Sequence, residues 1–109
     1  MKDHRLIDER SLAFDRLTAA KVAADPALLE QARINLRRWR DSASPQVRPV
    51  LLEWEALLNG PLKELFAMMK GTDERAVRLR QSSPLAGILS VAERTAILQD
   101  FQQRESSAA

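Results

Sequence analysis

Helix-breaking residues constrain this chain more than any other feature. Its five prolines and three glycines stand at positions 26, 45, 49, 60, 61, 71, 84 and 87, and the segments between them read with a helical period. None alternates as a strand would, β-branched residues are sparse, and tyrosine is absent. The pattern predicts an all-α protein: a compact bundle of about five to six short helices in a single domain over 1–104, with a disordered tail at 105–109.

The first helix is expected over 4–24, with Ala13, Phe14, Leu17, Ala20 and Ala24 on its sticky face and Leu6 and Ile7 further back. Asp25-Pro26 then opens a second helix, because the aspartate accepts from free first-turn amides and the proline lacks an N–H that would go unpaired there. That helix runs to about Asp41 and is expected to bury Leu29, Ala32, Leu36 and Trp39, with Leu28 at the edge. Residues 41–46 form a linker. Pro49 would clash with the carbonyl four residues back in a helix begun at Pro45, so the third helix starts near Arg48 or Pro49 and ends at Asn59-Gly60. Gly60 is expected in the left-handed C-terminal conformation. Pro61 opens a fourth helix facing inward through Leu62, Leu65, Phe66 and Met69, with Trp54 and Leu58 near the corner. Gly71-Thr72 ends it and caps a fifth, Asp73 to Gln81. Ser82-Ser83-Pro84 breaks the chain again, and Ser90 with Glu93 forms a capping box for a last helix, Val91 to Arg104. The sticky side there is Val91, the stem of Arg94, Ile97, Leu98 and Phe101.

Composition limits the chemistry. Cysteine is absent and His4 is the one histidine, so neither thiolate catalysis nor a zinc site of the usual composition can be assembled. No glycine-rich elbow surrounds a serine, and the isolated glycines form no phosphate loop. The carboxylate pairs Asp8/Glu9, Glu53/Glu55 and Asp73/Glu74 read as solvated surface charge. No catalytic residue, metal or cofactor is expected, and the protein is read as a non-enzyme. With a charged start, Met1-Lys2-Asp3-His4-Arg5, no signal peptide is expected, and no apolar run approaches the ~20 residues of a membrane span. A cytoplasmic location without a membrane partner is expected.

Two basic clusters remain. Arg33, Arg37 and Arg40 make one stripe at i, i+4, i+7, beside the apolar face, so they can stand at the rim of a groove; Arg75, Arg78 and Arg80 make the second. Three readings are open: surface arginines with buried stems, a protein interface gripping carboxylates, or a nucleic-acid contact. With 17 basic against 15 acidic groups, no region is a cationic surface. The most irregular segment is Arg78 to Leu89, where polar turn residues run into the apolar Leu85-Ala86-Gly87-Ile88-Leu89. Pro84 and Gly87 should shape it. Pro84, Leu85, Gly87, Ile88 and Leu89 are either tucked into the core or presented to a partner.

This segment, continuing to Ala92-Glu93-Arg94 and Ile97-Leu98, resembles a C-terminal signature of short bacterial proteins encoded beside nucleotidyltransferase-like toxins. The runs Asp8-Glu9-Arg10-Ser11-Leu12-Ala13-Phe14 and Asp25-Pro26-Ala27-Leu28-Leu29 resemble the same group. The resemblance implies a small antitoxin that binds and neutralises a cognate toxin, without a catalytic residue. The competing expectation is a DNA-binding regulator, acting on its own operon through either arginine cluster. A homodimer is compatible with the apolar edges, though no heptad run enforces one.

Overall fold

The computed structural model describes the backbone of residues 3–108 and the side chains of residues 8–104. Expectations for His4, Leu6, Ile7 and the side chains of the tail therefore lie outside the described residues. Within them the chain forms six α-helices and no strand: α1 (Asp3–Ala24), α2 (Leu29–Ser42), α3 (Arg48–Asn59), α4 (Leu62–Lys70), α5 (Glu74–Arg80) and α6 (Val91–Ala108). The all-α bundle is what the sequence predicts.

Local chemistry accounts for most of the boundaries. The Asp25 carboxylate accepts from the Ala27 amide at 3.2 Å, and Pro26 follows as expected. The first turn is a 3₁₀ turn, Pro26–Leu28, and α2 starts only at Leu29. Helix α3 begins at Arg48, as the clash at Pro49 requires. Ser90 and Glu93 close their capping box reciprocally: Glu93 N–H donates to Ser90 Oγ at 3.1 Å, and Ser90 N–H to Glu93 Oε1 at 2.7 Å. Other details depart from expectation. Gly60 is extended (φ −94°, ψ −168°) and not left-handed, because the ring of Pro61 pushes the residue before it out of helical space. Asp73, not Thr72, is the N-cap of α5. Helix α6 continues to Ala108, past the expected end at Arg104.

Helix α1 runs along α4, α5 and α6, while α2 packs on α3, α3 on α4, and α4 on α5. Between them Val22, Leu29, Trp54, Leu65, Met69 and Leu79 are fully enclosed. The indole N–H of Trp54 donates to the Leu79 carbonyl at 3.0 Å, so the largest core side chain keeps its polar handle satisfied.

Several inward faces differ from expectation. Among the described side chains of α1 the buried ones are Asp15, Thr18, Ala19 and Val22; Ala20 and Ala24 are exposed, and Ala13, Phe14 and Leu17 half-buried. The helical period holds, but the stripe is rotated onto a frame containing two polar side chains. On α4 Met68 is buried with Leu65 and Met69, while Leu62 is exposed and Phe66 half-buried. Phe101 of α6 is buried, yet Val91 is 81% exposed. Trp39, expected in the core, is 37% exposed at the end of α2.

Candidate functional site

The 81–90 connection is a loop whose larger apolar side chains are buried. Pro84, Leu85, Ile88 and Leu89 are all buried, the core alternative of the two left open by the sequence, and so are not presented to a partner. A segment outside helix or sheet can be buried only when its polar groups find partners. Two helices supply them. Asn35 Nδ2 of α2 donates to the carbonyls of Pro84 and Ala86, both at 2.9 Å, and Lys21 Nζ of α1 donates to the Ile88 carbonyl at 2.8 Å. Gly87, the exposed turn of the loop, has φ +92°, the left-handed region its lack of a Cβ permits. Asn35→Ala is expected to cost about 2 kcal/mol, because it strands the Pro84 carbonyl without its donor. Urea denaturation of the variant checks this.

Lys21 also ties α1 to α6. Its ammonium lies 2.8 Å from Glu93 Oε1, the same oxygen that receives the Ser90 amide. The Lys21 hydrogen bond, then that from the Ser90 backbone, holds the Glu93 carboxyl down to a pKa of about 2.

Beneath the loop lies a cavity of about 190 Å³, bounded by α1 (Ser11, Phe14, Asp15, Thr18), Arg80, the loop itself (Ser83, Leu85, Ala86, Gly87, Leu89) and Arg94 of α6. It gathers Arg80, Leu85, Gly87 and Leu89, all singled out in the sequence, around Asp15, which was not. Asp15 is only 6% exposed, and its Oδ2 has no hydrogen-bond partner. Burial pushes its pKa up from an ordinary 3.8 to about 7, partly opposed by the charge of Arg80. Arg80 is itself engaged: its Nη1 donates to the carbonyls of Gly71 at 2.7 Å and Met69 at 3.4 Å, completing the C-terminus of α4. The Arg94 guanidinium lies 4.9 Å from the centroid of the Phe14 ring, within cation–π range. A sequence signal for Asp15 did exist. It shares an i, i+3, i+4, i+7 frame with Thr18, Ala19 and Val22, but two polar residues in that frame hid it beside the more apolar one.

The second arginine-rich place is a cleft of about 140 Å³ between α2 and α3, lined by Arg33, Leu36, Arg37, Arg40, Glu55, Leu58 and Asn59. The stripe thus stands at the rim of a groove, as its spacing implies. Arg33 donates to the Leu58 carbonyl at 3.0 Å, near the end of α3. Arg37 pairs with Glu30 at 3.2 Å and Arg40 with Glu55 at 3.1 Å. Arg78 lies elsewhere and grips Glu53 with both terminal nitrogens, at 2.8 and 3.2 Å. That bond, and the charge behind it, lowers the Glu53 carboxyl below its ordinary range. Arg75 is exposed on α5, so the second cluster divides among separate tasks.

No family model, curated protein or solved structure matches this chain. The side chains carry the functional reading. Among the described residues no group of three or more His, Cys, Asp or Glu could hold a metal, and no helix is long and apolar enough to cross a membrane.

Proposed function

We propose that this protein is a non-catalytic interaction module, and specifically a cytoplasmic antitoxin that neutralises a cognate toxin by covering an acidic part of its surface with the α2–α3 face. The observation that carries this reading is Trp39, left 37% exposed on the helix whose Arg33, Arg37 and Arg40 line the cleft. Tryptophan and arginine are the residues on which interface energy concentrates. The resident pairs to Glu30 and Glu55 are exposed, and such pairs contribute about 0–1 kcal/mol, so a partner's carboxylates can displace them at little cost. The same pairs leave little unopposed positive charge for a DNA backbone. The buried loop 84–89 serves this reading as scaffold and not as contact.

Co-expression with the product of the adjacent gene, followed by pull-down and growth rescue, tests it. Arg37→Glu combined with Arg40→Glu is expected to weaken the complex at least about a hundredfold and to abolish rescue, while the isolated variant keeps its helicity. No complex and no rescue with the parent chain would sink the proposal.

A further inference from the structure

We propose that the cavity beneath the 83–89 loop is a binding site for a small zwitterionic amino acid, with its ammonium on Asp15 and its carboxylate on Arg94. The site shares no lining residue with the α2–α3 cleft, so it stands independently of the docking reading. Asp15 Oδ2 is a buried acceptor without a donor, the kind of group that costs free energy until a ligand or water satisfies it. Of the two guanidiniums on the wall, Arg80 is occupied by the Met69 and Gly71 carbonyls. Arg94 stacks on Phe14 and makes no hydrogen bond or ion pair among the described residues, so its planar fork is free to receive a carboxylate.

Charge decides the class of ligand. A bare cation in this cavity meets Arg80 and Arg94, and a bare anion meets the Asp15 carboxylate. A zwitterion satisfies the orphan acceptor and the free donor together while bringing no net charge into a half-enclosed space. The hydroxyls of Ser11 and Ser83 on the same wall can accept further N–H groups. Size allows it: a water needs only about 10–15 Å³ of such space, and the cavity offers about 190 Å³.

The test is isothermal titration of the full chain at about pH 8, where Asp15 is ionised. The probes are glycine, β-alanine, 4-aminobutyrate and 6-aminohexanoate, with methylamine and acetate as the separate halves. One member of the series, whichever spans from Asp15 to Arg94, is expected to bind at least about tenfold tighter than methylamine or acetate. Asp15→Asn and Arg94→Gln should each weaken that binding at least about tenfold. Circular dichroism confirms that both variants are folded, and Arg94 is exposed, so its loss leaves the core intact. Below the pH at which Asp15 ionises, binding should release a proton, read as a heat that depends on the buffer. The proposal is overturned if no member binds at about 10 mM, if either half binds as well as the whole, or if Asp15→Asn binds as tightly as the parent.

Discussion

Replacing Asp15 by asparagine is expected to raise stability at neutral and alkaline pH by as much as about 4 kcal/mol and to flatten its dependence on pH. The folded protein keeps the Asp15 proton up to about pH 7, whereas an unfolded chain releases it near 3.8. Between those values the folded state binds more protons than the unfolded one. Stability therefore falls as pH rises across that interval and levels off above it. Asparagine copies the shape of the protonated acid and has no charge to desolvate. The charge of Arg80, on the same cavity wall, keeps the penalty below what burial alone would impose. Urea denaturation of the parent and the variant at about pH 5 and about pH 8 checks the claim. Equal parental stabilities at the two pH values, or a variant as sensitive as the parent, would show that the charge is not buried.

Trp54→Ala is expected to cost about 3–5 kcal/mol from lost burial, with about 1–3 kcal/mol more because the Leu79 carbonyl loses its donor. Typical domains have only about 5–15 kcal/mol in all, so cooperative unfolding should be lost or its midpoint fall sharply. Trp54→Phe keeps most of the volume and isolates the hydrogen bond, at about 1–2 kcal/mol. Trp39→Ala should cost clearly less, about 1–2 kcal/mol, because 37% of that side chain is already exposed. If thermal melts gave the two alanine variants equal losses, the assignment of Trp54 to the core and Trp39 to the surface would be wrong.

That contrast marks where sequence reasoning reached its limit. Both tryptophans sit at plausible inward positions of amphipathic helices, and periodicity alone does not tell them apart. What distinguishes them is position along the bundle: Trp54 lies where α3 meets the end of α5, and Trp39 lies in the last turn of α2, 37% exposed. The alanines of α1 posed the same problem, because Ala20 and Ala24 are small enough to be indifferent to either side, while Ala19 and Val22 were claimed by the packing.

Most of the helix boundaries belong to the sequence alone. Asp25-Pro26, Pro49, Pro61 and the Ser90–Glu93 box act through backbone dihedrals and hydrogen bonds within four residues, so their effect is local. Even the miss at Gly60 has a local cause, the proline after it. The all-α class follows from the same short-range signals. Tertiary structure decided which face of each helix turns inward, that the 84–89 loop is core, and that Asp15 is held without a partner near Arg80 and Arg94. Those outcomes depend on groups far apart in sequence: Asn35 and Lys21 satisfy a loop some fifty and more residues away, and the cavity around Asp15 is assembled from α1, α5, the 83–89 loop and α6 together. No periodicity within one segment encodes that arrangement, because its energy exists only once the helices have met.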